Sequence, residues 1–173
     1  MRKWIFICLL LVAARAQAQQ IDLTALDKLG PKAKEKTEVT LDASMLQFAS
    51  GFLTEKSKEE SAAKKITSDL KGVYVRTYEF DKAGQFSPAD LDPVRAQLKG
   101  PNWSRILNVK ERDGDDVEMW LYREGELTTG MILIAVEPEE VTVINLVGPM
   151  RAEDIRSLGG QFGIPKVQGI TKE

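Results

Sequence analysis

The chain of 173 residues carries 24 Lys and Arg against 26 Asp and Glu, with one Cys and no His. Without imidazole, and with a single thiol, it offers no Ser-His-Asp triad, no Cys-His pair and no ordinary zinc site. The acidic balance also argues against nucleic acid, whose phosphates reward a basic surface, and the length suits one domain able to bury its own core.

Arg2 and Lys3 precede an uncharged apolar stretch from Trp4 to Ala14. Arg15 follows, and then Ala16-Gln17-Ala18, the small-x-small pattern of a cleavage site. The stretch is too short to anchor across about 30 Å of hydrocarbon. Residues 1–18 are therefore expected to be a cleaved export signal, and no membrane span is expected to remain after cleavage. Cys8 sits mid-stretch behind Ile7, which is the wrong setting for lipidation. Its removal with the leader leaves neither thiol nor disulfide, and a metal would find only carboxylates, amides and water. No cofactor and no metal site are expected.

Residues 19–37 read as a lightly docked N-terminal arm carrying Ile21, Leu23, Leu26 and Leu29, broken by Gly30-Pro31. Residues 38–165 read as a single domain and 166–173 as a tail. Glu38 to Leu41 suggests a short strand. Asp42 stands as the N-cap of a helix whose apolar stripe is Met45, Leu46, Ala49, Phe52 and Leu53. Ser57 to Glu60 has the form of a capping box, opening a helix that would close at Gly72. Val73 to Phe80 alternates as a strand. Ser87, Pro88 and Asp90 are suited to the cap, first and third positions of a further helix, which Pro93 would distort or restart. Arg105 to Glu111, Val117 to Arg123, Met131 to Val136 and Val141 to Val147 read as four strands in a meander, with hairpin signals at Asp113-Gly114 and Glu124-Gly125. The last two are apolar on both faces, as central strands are. Pro149 is expected to open a short final helix ending at Gly159-Gly160. This order predicts an α+β two-layer sandwich, mostly antiparallel, with helices mainly on one face.

Three blocks carry a resemblance: Val39-Thr40-Leu41-Asp42, the run from Leu70 to Phe80, and Val143 to Pro149. With Trp103-Ser104 and the closing Gly159 to Pro165 segment, they resemble the bacterial family DUF4252, domains of unknown function, over roughly Val39 to Pro165. The resemblance implies a small exported protein of the Gram-negative envelope. It brings no activity and no catalytic residues.

Several patterns have an ordinary explanation beside a functional one. Asp113 to Asp116 with Glu118 offers oxygen ligands without the spacing of a calcium loop, and a hairpin turn accounts for it. Gly159, Gly160 and Gly163 follow a helix instead of introducing one, so termination outranks a phosphate cradle. Asn102-Trp103-Ser104 matches a glycosylation acceptor by letter only, with Trp103 expected to lie over the core. Glu139-Glu140 and Asp90/Asp92 suit turns and caps. Asn145 is expected to tie its strand to a neighbouring loop, because a buried amide without partners costs about 1–3 kcal/mol.

The strongest candidate is a surface. Alternation places Tyr74, Arg76 and Tyr78 together, and likewise Glu118, Trp120 and Tyr122. Val73, Val75, Val117, Met119 and Leu121 are the better core formers, so the rings and Arg76 are expected to face outward as a binding surface. Two functions follow. The first is a non-enzymatic envelope module that binds a protein, peptide or glycan, or pairs with itself, through Tyr74, Arg76, Tyr78, Trp120 and Tyr122. The alternative is a periplasmic, glycan-directed hydrolase working with two carboxyls.

Overall fold

The computed structural model describes residues 20–51 and 69–153. A 3-10 helix, Thr24–Lys32, leads into strand β1 (Glu35–Asp42) and helix α1 (Ala43–Ser50). Strand β2 (Gly72–Glu79) follows, then a 3-10 turn (Pro88–Leu91) running into helix α2 (Asp92–Gln97). Strands β3 (Trp103–Lys110), β4 (Asp116–Glu124), β5 (Leu127–Glu137) and β6 (Glu140–Met150) complete the order. The six strands form one sheet in the order β1-β2-β6-β5-β4-β3, every neighbouring pair antiparallel. The protein is an α+β fold dominated by this sheet.

Local chemistry explains the elements. Gly114 and Gly125 take positive φ at the β3–β4 and β4–β5 turns, where a side chain would strain the backbone. Asp42 caps α1, its Oδ1 accepting from the Met45 amide at 2.9 Å and from the Ser44 hydroxyl at 2.6 Å. Ser87 and Asp90 form the expected capping box: Ser87 Oγ accepts from the Ala89 amide, and Asp90 Oδ2 from the Ser87 amide at 2.9 Å. Pro93 then sits in the first turn of α2, where its missing N–H removes no helical bond.

Two cores flank the sheet. On one face Tyr78, Phe80, Trp103, Tyr122, Ile132, Ile134, Val141 and Val143 pack against Ile21, Leu23, Leu26 and Leu29 of the N-terminal segment and Leu91, Val94 and Leu98 around α2. On the other, Met119, Met131, Leu133, Ile144 and Leu146 gather with Leu46 of α1. Among the described residues the helical segments therefore lie mainly on the ring-bearing face.

The structure departs from the sequence reading in four places. The N-terminal arm is not lightly docked: Leu26 and Leu29 are fully buried, and Ile21 and Leu23 nearly so. Leu26 and Leu29 stack in the 3-10 helix, where residues three apart lie one above another, with Leu23 at its N-cap in line, and Ile21 is held by its own backbone bond to Asn145. The expected boundary between residues 37 and 38 falls inside β1. Gly72 opens β2, and a Cβ there would meet the Tyr74 ring at 2.8 Å. Pro149 lies within β6. The capping-box helix from Ser57, the stripe residues Phe52 and Leu53, and most of the expected final helix lie outside the described residues. No helix among the described residues is long and apolar enough to cross a membrane.

Candidate functional site

The five residues singled out from the sequence do share one side of the sheet, and that side faces inward. Tyr78 is 0% exposed, Tyr122 is buried, and Tyr74, Arg76 and Trp120 are half-buried. The outward orientation expected for them is corrected by the N-terminal segment. Its Ile21, Leu23, Leu26 and Leu29 cover the rings, while Val73, Val75, Val117 and Leu121 on the opposite side are only half-buried. Alternation groups residues by side but carries no information about which side a distant segment will cover.

Beneath that cover Tyr74 packs against the core from beside Gly72, and the other four divide among three settings. At the β1–β2 end, Arg76 Nη2 meets Glu38 Oε1 at 2.6 Å and its Nη1 donates to the Val75 carbonyl at 3.1 Å. Lys36 lies 5.9 Å over the Tyr78 ring and 3.0 Å from Glu38. The Tyr78 hydroxyl and Arg76 Nε are buried without a hydrogen-bond partner among the described residues. Burial pushes the Tyr78 phenol up, opposed by the nearby charge of Lys36.

At the other end of the sheet, Trp120 belongs to an ionic cluster. The carboxylate of Glu118, buried in β4, accepts from Arg95 Nε of α2 at 2.7 Å and from the Trp120 indole N–H at 3.2 Å. Arg105 lies 3.6 Å from the same carboxylate and 5.3 Å over the Trp120 ring. Burial alone would raise the Glu118 carboxyl. The hydrogen bond and charge of Arg95, with Trp120 and Arg105, outweigh it and hold the group below the ordinary carboxylate range. Arg95 also donates to the Pro88 carbonyl at 2.9 Å and lies 3.6 Å from Asp116. Arg95 bonds Glu118 of β4 and meets Asp116 beside it, so the cluster fastens α2 to the sheet.

The third setting is a cavity of about 260 Å³ where β3 and β4 meet the N-terminal segment. Tyr122 lines it with Trp103, Gln20, Ile21, Gln97 and Asn102. The Trp103 and Tyr122 rings meet edge-to-face, 5.2 Å apart at 69°. Asn102 Nδ2 donates to the Tyr122 hydroxyl at 3.0 Å, which leaves the phenolic proton free to point at a guest. Gln97 holds the wall: its Oε1 accepts from the Asp22 amide and its Nε2 donates to the Asp22 carbonyl, both at 2.9 Å. Among the described residues, no Asp, Glu, Lys or Arg lines this cavity. The sequence reading reached Tyr122 and treated Trp103 as a lid. It missed Gln20 and Gln97, whose only signal was an amide near the start of the chain and another on a short helix.

At the opposite end of β3 and β4, Glu111, Asp113 and Asp115 bring carboxylate oxygens within 4.8 Å of one another. The hairpin explains their closeness, since Glu111 N–H donates to the Asp115 carbonyl at 2.8 Å and Gly114 takes φ 110° between them. The neighbouring Glu137 is pushed up by burial and by the charges of Glu140 and Asp115.

The model of the family described as a domain of unknown function (DUF4252) matches residues 31–158. No curated protein and no solved structure matches the chain.

Proposed function

The chain belongs to the DUF4252 family, and within that family we propose that it is an exported envelope protein acting as a non-enzymatic binding module, with the cavity at Trp103 and Tyr122 as its site. The observation that carries the binding reading is the lining itself. Two aromatic rings and a few amides converge on one concave surface, the composition of a recognition pocket. The same lining lacks the pair of carboxyls that glycoside hydrolysis requires. The export reading rests on Arg2, Lys3, the apolar stretch and Ala16-Gln17-Ala18. Cleavage after Ala18 would keep Ile21, the first buried residue among those described, and the docked segment that follows it. The partner is an envelope component carrying an uncharged group.

A chemical-shift map of the purified protein tests the module reading, using neutral oligosaccharides and short uncharged peptides as probes. Saturable shifts centred on Asn102, Trp103 and Tyr122, with the probe recovered intact, are the expected result. Conversion of a probe would favour the hydrolase. Saturable shifts confined to residues far from the cavity would remove the site.

A further inference from the structure

We infer that the guest of the Trp103–Tyr122 cavity is a single uncharged pyranose ring of a glycan. This inference rests on the binding reading above and names its ligand class. Three features of the lining converge on it. First, among the described lining residues the Tyr122 phenol is the one ionisable side chain, which selects a neutral guest, because a carboxylate or ammonium taken out of water here would meet no counter-charge from them. Second, the edge-to-face arrangement of Trp103 and Tyr122 means that the two rings cannot both lie flat against one planar guest. Two inclined ring surfaces beside a hydroxyl suit a puckered ring with an apolar C–H side and a polar rim. Third, the polar groups left for a guest are the right kind for hydroxyls, which both donate and accept. Asn102 retains its side-chain carbonyl after donating to Tyr122. Tyr122 retains its proton, and Gln20 stands exposed at the mouth with both amide functions. Gln97 takes no part, its amide being fully engaged with Asp22. The cavity volume of about 260 Å³ lies just under the range of sites for drug-sized molecules, about 300 Å³ and upward. One ring enters, and the remainder of the glycan stays in solvent.

The test titrates the purified protein with chitotetraose, maltotetraose and an uncharged alanine tetrapeptide, each to about 10 mM, following the Trp103 indole and Asn102 side-chain resonances. At least one tetrasaccharide should give saturable shifts at both. Tyr122→Phe, which keeps the ring and loses only the hydroxyl, should weaken that binding about five- to tenfold. Asn102→Ala, at an exposed position, should weaken it comparably while thermal unfolding stays cooperative. Binding by the tetrapeptide alone, sensitive to the same substitutions, would overturn the sugar assignment and leave the module reading standing. Silence from all three probes would remove both, and sugar binding indifferent to both substitutions would place the sugar elsewhere.

Discussion

Asn145 Oδ1, at the centre of the sheet, accepts the backbone N–H of Ile21 at 3.0 Å, joining residues 124 apart in sequence. The other half of the amide donates to the Met131 carbonyl at 3.1 Å, and the residue is 0% exposed. One side chain therefore sets the height at which the N-terminal segment lies on β6, and Gln97 fixes the next residue through both polar groups of the Asp22 backbone. Cavity and core share this anchorage, since Ile21 belongs to both.

Asn145→Leu keeps the branching of the side chain and removes both of these bonds. The stranded Ile21 N–H and Met131 carbonyl should cost about 1–3 kcal/mol, lowering the unfolding midpoint by roughly 2–4 °C for each kcal/mol. Amide exchange locates the damage: Ile21 and Leu23 should lose protection while β5 and β6 keep theirs. Unchanged exchange at Ile21 would show that apolar packing alone holds the segment.

Gly148 has φ 134°, and a Cβ there would come within 2.9 Å of the Leu70 and Lys71 backbone. The approach is enforced by the Lys71 amide, which donates to the Val147 carbonyl at 2.7 Å. Backbone strain and steric overlap act together, so Gly148→Ala should destabilise by about 2–4 kcal/mol. Gly125→Ala is the control. Its φ of 64° is also unfavourable, but nothing lies within 4 Å, and roughly 1–2 kcal/mol is expected. Equal losses in urea unfolding would refute the steric part.

The sheet was legible in the sequence because its signals are local: alternation in Val73 to Phe80, glycines at the turns, an uninterrupted apolar run in β5 and a mainly apolar one in β6. The tie at Asn145 was legible too, as an amide in an otherwise apolar strand. The cover was not. Leu23, Leu26 and Leu29 recur at intervals of three, a 3-10 period that falls between the spacings tested for α-helix and strand. Read as a lightly docked arm, this stretch leaves Tyr78 and Tyr122 in solvent. The cavity escaped notice for a related reason, since its walls come from the N-terminal segment, α2 and β3, which only the folded topology brings together.

The ring-bearing face supplies a pair of opposed outcomes. Tyr78→Phe removes a buried hydroxyl that has no partner among the described residues, so stability should be unchanged or rise by about 1 kcal/mol. Trp120→Ala removes a half-buried indole that donates to Glu118 and lies under Arg105, and about 3 kcal/mol of stability should be lost. Chemical unfolding of both variants decides whether this face is core. A Trp120→Ala protein of native stability would restore the view of the rings as a free surface.

Glu118 gives the fold a specific acid sensitivity. Its carboxyl is held below the ordinary value of 4.5 when folded, so the unfolded chain takes up the proton first. The stabilisation from Arg95 and Arg105 is complete above pH 4.5, and it is lost as pH falls through that value towards the lower folded one. Asp22, Asp42 and Asp90 are also held low, by Thr24, by Ser44 and by the Ser87 amide respectively, and add a slope of the same sign. Glu137, pushed up by burial, contributes the opposite one. Glu118→Gln isolates the cluster, because glutamine has nothing to titrate and leaves the half-buried guanidinium of Arg95 with only the longer ion pair to Asp116 at 3.6 Å and the more exposed Asp92. At neutral pH the variant should be less stable by about 1.5–3 kcal/mol. The gap to the parent protein should narrow as pH falls from about 5 to 3, since the parent alone loses the Glu118 contribution there. Urea midpoints measured across that range make the comparison, and a gap independent of pH would mean that the Glu118 carboxylate titrates alike in the folded and unfolded chain.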